Sequence, residues 1–340
     1  LNVSYVILAY VFSYLFMRRI KIGHLPAIFG AVVFIFAGQV MLWSETIIIT
    51  SYYFLLPLSL YTLDYAIGSK PLRGLFFYIL LGFFLGWGWL SGHVQFLIYV
   101  HTLAACYFAF MLWHRHKEGQ SLQLVFVSLG SFALTILISF LTGLPEIMAI
   151  LDFLPLTARA SGVTLSAATA YSYGPHHLIY YILPSFKIPY ISLSQSFQNY
   201  IGLLPLMLFP LIFLVWKDLK KNKYFAFFFG VFAFCFIASV QYSPVAYILH
   251  NLPLYDSFRE TFRVMFIGDF AFGIVMAISL NHIWQERELF GPKFNRYLVW
   301  MRRVFVYGAL PVIAVVSVIK IFLFASIERF LQNYFINNLY

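Results

Sequence analysis

Arg259 and Arg263 lie four residues apart in LPLYDSFRETFRVMFIGDF (252–270) and are the side chains best suited to grip an anion. Two guanidinium forks one helical turn apart match the oxygens of a phosphate or pyrophosphate head group. A helix expected to start near Asp256 puts Asp256, Arg259 and Arg263 on one face, at i, i+3 and i+7. Glu260 falls about 100° to the side. The competing reading is a self-neutralised helix start, in which Asp256 and Glu260 pair with the two arginines and nothing else is bound. Asp269 lies two turns deeper, inside an apolar run. A carboxylate there marks a pathway or a buried pair, or bonds a Tyr, Ser or Thr of a neighbouring span.

His93 closes GWGWLSGHVQFLIY (86–99), a glycine-rich turn between two apolar runs. It either contacts substrate or caps the following helix and bonds a nearby carbonyl. If that helix begins at His93, Gln95 points away from it, while Leu97 and Val100 share its face. Glu45, in the short turn Trp43–Thr46, reads mainly as a carboxylate favouring the start of the next helix. Glu146, Asp152 and Arg159 fall within fourteen residues of one another. Tyr171, Tyr173 and His176 form an aromatic cluster able to stack on a sugar or line a lipid groove. His176 and His177 are adjacent, so they point apart and make a poor metal pair. No Asp-x-Asp, P-loop, G-x-S-x-G or HExxH motif occurs. No cofactor is evident, and the pattern leaves a divalent metal open.

The elements that must position these residues follow from composition. Apolar residues make up 62% of the 340 and charged residues only 10%, against about a quarter in soluble domains. The expected fold is all-α: one transmembrane domain of about ten spans, near 1–17, 26–42, 46–66, 74–90, 93–113, 122–143, 199–216, 224–242, 263–283 and 304–324. Cys106 and Cys235 sit inside these runs and read as packing residues.

The net charge of +10 does not point to nucleic acid, because the basic residues lie in short runs between apolar spans. Sixteen of the 22 Lys and Arg fall on alternate connectors: Arg18, Arg19 and Lys21; Lys70 and Arg73; Arg115 and Lys117; Lys217, Lys220, Lys221 and Lys223; Arg287, Lys293, Arg296, Arg302 and Arg303. The positive-inside rule puts them in the cytoplasm of a multi-pass plasma-membrane protein. The opposite face then carries the long segment 144–198, broken by five prolines yet rich in Tyr, Phe and Leu. It is expected to be a folded extracytoplasmic loop with short helices along the surface, and loops of that length are usually functional.

Several stretches resemble the YfhO-type bacterial membrane proteins of the GT-C superfamily of integral-membrane glycosyltransferases. They are AGQVMLW with FLLPLSLYTLDYAI, GWLSGHVQFLIY, LPEIMAI through ARASG to YSYGPHHLIYYILP, NYIGLLPLML, and LPLYDSFRETFRVMF. The resemblance implies transfer of a sugar from a polyprenyl-phosphate carrier to a cell-envelope glycan or lipid acceptor on the outer face. It also implies a catalytic acidic residue in a first outer loop. The chain begins at Leu1, and its first span resembles a later family helix, so that loop is expected upstream and no catalytic base is assigned. Arg259 and Arg263 are the phosphate candidates, with Arg159 third, and Glu45, Glu146 and Asp152 as assistants. The alternatives are a transporter or lipid flippase, or a non-catalytic protein of envelope assembly.

Overall fold

The computed structural model describes residues 2–157, 162–169, 172, 174, 200–252 and 255–319. Helices make up the regular structure, and no strand occurs among the described residues. The chain divides into two compact units, Leu1–His282 and Ile283–Tyr340.

In the larger unit, α1 (Asn2–Arg19) packs on α2 (His24–Ile35) and on α4 (Ile47–Gly68). Helix α4 also packs on α5 (Pro71–Trp89) and α6 (Val94–Lys117), and α5 packs on α7 (Leu122–Phe153). Helix α14 (Met265–Gln285) crosses α2 where two glycines meet. A Cβ on Gly30 would stand 2.5 Å from the Gly273 carbonyl oxygen, so only glycine allows this backbone approach. Local chemistry sets several helix starts. Pro71 and Pro244 occupy first turns, where a missing N–H leaves no bond unmade. Asn222 accepts from the N–H groups of Tyr224 and Phe225 ahead of α12 (Lys223–Ala238).

Five helices are long and apolar enough to cross a membrane: Ile47–Gly68, Pro71–Trp89, Val94–Lys117, Leu122–Leu156 and Thr261–Gln285. Their burial separates centre from rim. It is 83% for the first and 89% for the last, but 17% for Leu122–Leu156, whose exposed side is Leu and Phe. A helix apolar all round and bare of protein is suited to lipid. The chain is a helical protein built for a bilayer.

Other expected spans take different forms. The run 26–42 breaks at Ala37, which is extended (φ −61, ψ 145) between α2 and α3 (Gly38–Trp43), and the Gly38 N–H turns to the Tyr200 carbonyl. After α8 (Leu165–Thr169), the run 199–216 becomes three short helices, α9 (Leu203–Leu208), α10 (Leu211–Leu214) and α11 (Trp216–Leu219), interrupted at Pro210 and Val215. Helix α12 has 16 residues. The segment 144–198 does not begin as a loop: α7 continues through Pro145 to Phe153 and is about 48 Å long at 1.5 Å per residue. Proline costs that helix one backbone bond and a local clash, and the apolar residues around it keep the remaining ladder dry.

The smaller unit contains α15 (Arg287–Val304), a π turn (Phe305–Ala309) and α16 (Leu310–Ile319). The basic stretch 284–303, expected as a connector, is therefore largely helical.

Within the larger unit, the basic connectors meet at one end. Arg19 reaches Asp64, Arg115 donates to the Ile67 carbonyl, and Lys223 pairs with Glu118. At the other end, Asn2 bonds the Glu45 carbonyl, Tyr52 spans to Gly88 and His93, and the Val163 N–H donates to the Asp256 carbonyl.

Candidate functional site

The sequence expectation of one helix carrying both arginines does not hold. A 3-10 turn (Tyr255–Ser257) and a second one (Thr261–Val264) precede α14, and Glu260 between them is left-handed (φ 60, ψ 63). Left-handed backbone crowds the Cβ of a non-glycine residue, so the surrounding contacts must hold it there. The kink at Glu260 breaks the single helical face on which the two side chains were expected to lie.

Arg263 turns inward. Its Nη2 and Nε both donate to Glu260 Oε2, at 2.7 and 2.9 Å. Its Nη1 donates to His93 Nε2 at 3.1 Å and lies 3.4 Å from Gln95 Oε1. The Trp43 ring lies beneath, 5.7 Å from the guanidinium carbon. A guanidinium can only donate, so His93 Nε2 is the acceptor and the imidazole proton sits on Nδ1.

Each partner is itself positioned. His93 stands at the N-cap of α6 (φ −131, ψ 86), outside the helix, and its side chain makes no cap bond. The expectation that Gln95 points away from His93 assumed a helix beginning at His93, and the extended N-cap removes that premise. The two side chains converge on Arg263. The turn before His93 is pinned by the Tyr52 hydroxyl, which donates to the Gly88 carbonyl at 2.8 Å and accepts from the His93 N–H at 3.1 Å. Gly92 supplies the required left-handed position at φ +86. Phe96 meets the His93 ring edge-on at 4.8 Å.

Gln95 Nε2 donates to the Tyr99 hydroxyl at 2.9 Å and to the Arg259 carbonyl at 2.8 Å. It thereby fixes the backbone of Arg259, whose side chain is exposed and makes no ion pair or hydrogen bond among the described residues. Beside it, the Thr261 and Ser172 hydroxyls lie 2.8 Å apart and tie Ser172 to this end. Tyr255 reaches Thr102 at 2.7 Å, and burial raises its phenol above the usual range.

Glu45 is exposed on the same end. Glu146 is half-buried on the extension of α7, close enough to the Tyr52 hydroxyl to act on it electrostatically. Asp152 is exposed further along α7, and Asp256 accepts from Ser257 at 3.3 Å rather than from either arginine. Asp269 is 1% exposed, and no Tyr, Ser or Thr bonds either carboxylate oxygen among the described residues. Arg159, Tyr171, Tyr173, His176, His177 and Lys320 lie outside the described residues. Cys106 and Cys235 are both free thiols.

Gln95, expected to point away, and Tyr99 and Tyr52, which carry no motif, all belong to the site. The available signal was a glutamine inside an apolar run with a tyrosine four residues on, a spacing that places both on one helix face.

The arrangement is a cation cluster with an inner and an outer member. Arg263 is bonded to Glu260, His93 and Gln95, while Arg259 is exposed and its carbonyl is held by Gln95. No protein-family model, curated protein or solved structure matches the chain, so this site is argued from its own geometry.

Proposed function

We propose that this chain is the membrane-embedded part of a YfhO-like, GT-C-type glycosyltransferase, taking a sugar from a polyprenyl-phosphate carrier to a cell-envelope acceptor. The observation that carries the reading is the Arg259 guanidinium, exposed and without an ion pair or hydrogen bond among the described residues. It is anchored through its own carbonyl beside the Arg263 cluster, at the helix end opposite the basic connectors. A polyprenyl chain belongs among apolar helices, and its phosphate belongs at their ends. When the sugar leaves, negative charge develops on the lipid phosphate, and a preorganised guanidinium stabilises it. Arg259 is the contact residue in this scheme and Arg263 the positioning residue. The acceptor hydroxyl needs a carboxylate base, which the family resemblance places upstream.

Ten crossings with extracytoplasmic loops belong to this proposal. The alternation of the described helices supports it. Helices α1, α4, α6 and α14 run from the site end to the basic end, and α2, α5, α7 and α12 return.

The test is the protein with its upstream sequence in lipid vesicles, supplied with a polyprenyl-phosphate-linked hexose and an envelope-lipid extract as acceptor. Release of free polyprenyl phosphate is expected. A protein that neither releases it nor binds the donor overturns the reading.

A further inference from the structure

A second polar locus lies within the helices and plays no part in the arginine cluster. Both oxygens of Asp269 and both amide atoms of Gln39 are buried without a hydrogen-bond partner among the described residues. Each residue is 1% exposed.

Helix packing ties the turns that carry the two to one residue, Tyr53. Phe34 of α2 meets Phe270 of α14 at 5.2 Å between ring centres, one turn beyond the Gly30–Gly273 crossing. Gln39 follows Phe34 across the break at Ala37, and its carbonyl accepts from Tyr53 at 2.9 Å. The Tyr53 ring in turn meets Phe266 at 6.2 Å. Phe266, Asp269 and Phe270 share a helix turn, with Asp269 about 60° from Phe266. Asp269 is also the foremost charge acting on the Tyr53 hydroxyl. Tyr53 thus links the Gln39 backbone to the Asp269 turn.

A carboxylate with no partner in an apolar interior is costly by several kcal/mol, and so is an unbonded amide. A positive charge removes the first cost and the acceptor half of the second, since the carboxylate balances it and the amide oxygen joins its shell. One carboxylate balances one charge; a divalent ion would leave a net charge buried. The break between α2 and α3 supplies main-chain carbonyls of the kind that coordinate alkali cations where membrane helices unwind.

We propose that Asp269 and Gln39, at the α2–α3 break, form a binding site for a small monovalent alkali cation within the membrane.

The experiment uses the full chain in detergent, with thermal unfolding followed in sodium, lithium, potassium and choline chloride at one ionic strength. Sodium is expected to raise the midpoint over choline in a saturable way, by about 2–4 °C at ten times its Kd. Asp269→Asn, which keeps the shape and removes the charge, is expected to abolish the difference, and Gln39→Leu to weaken sodium binding at least tenfold. Equal midpoints in all four salts overturn the site, because a buried acid or a bound water stabilises the fold whatever the salt. So does an undiminished sodium effect in Asp269→Asn. Should that variant fail to fold, the wild-type salt series and Gln39→Leu decide alone: saturable sodium stabilisation lost in Gln39→Leu supports the site, and its persistence overturns it.

Discussion

The two ends of the larger unit bond their arginines to different kinds of partner. At the basic end, Arg19 gives Nε to Asp64 Oδ2 at 2.8 Å and lies 4.1 Å over the Tyr65 ring, while Tyr107 takes the other Asp64 oxygen at 2.8 Å. Arg115 closes the same corner on the Ile67 carbonyl. Arg19 and Arg115 are engaged there and Asp64 is buried, while Arg73 is exposed near the Phe77 ring. At the site end, Arg263 is equally engaged, but among the described residues Arg259 is held through its carbonyl alone and its side chain makes no hydrogen bond. Glu260 is also strained there, whereas the non-glycine residues at the basic end are relaxed apart from Lys21 at φ 68. A fully satisfied polar network stabilises and orients helices.

The contrast is sharpest as sidedness. In a background with Cys106 and Cys235 replaced, a cysteine at Ser69 should be wholly protected from an impermeant thiol reagent in intact cells, and one at Ser194 labelled. The reverse pattern would exchange the roles of the two ends.

Asp64→Ala should cost about 3–5 kcal/mol of stability, because it leaves Arg19 and the buried Tyr107 hydroxyl without their acceptor. Denaturation in detergent measures this, and activity per folded molecule should stay unchanged. A fall in specific activity would mean that the basic end also takes part in function.

Arg259→Ala should have the converse profile. Transfer should drop by about 2–4 kcal/mol in the transition state, roughly 30- to 1,000-fold, with stability within about 0.5 kcal/mol. Arg259→Lys should fall between, since it keeps the charge and loses the fork. Normal turnover in Arg259→Ala would remove the phosphate role.

Gln95→Leu should have the smallest effect, about 1–1.5 kcal/mol. Freed from its anchor, Arg259 would bind the donor less well, so KM should rise more than kcat falls. A pure stability loss with unchanged KM would make Gln95 a packing residue only.

The sequence by itself determined that the chain is helical and built for a bilayer, since composition and runs of apolar residues depend on no partner. It also determined that Lys and Arg alternate between connectors, because that pattern lies along the chain. The candidate site was legible in part. The nearness of Arg259, Arg263 and Glu260 was readable, as was His93 as a candidate on its own turn, and Glu260 as a neutralising partner was one of two open readings; that His93 meets Arg263 was not readable.

Tertiary structure decided which arginine Glu260 takes, and it left the other exposed. Sequence spacing assumed one continuous helix, but the left-handed backbone at Glu260 is fixed by contacts from α6, far away in the chain. The carbonyl of Arg259 is held by Gln95, 164 residues earlier. The breaks at Ala37 and Pro210, and the run of α7 through Pro145, were decided in the same way. Proline and glycine open a choice locally, and the neighbours that accept or refuse the freed backbone groups settle it.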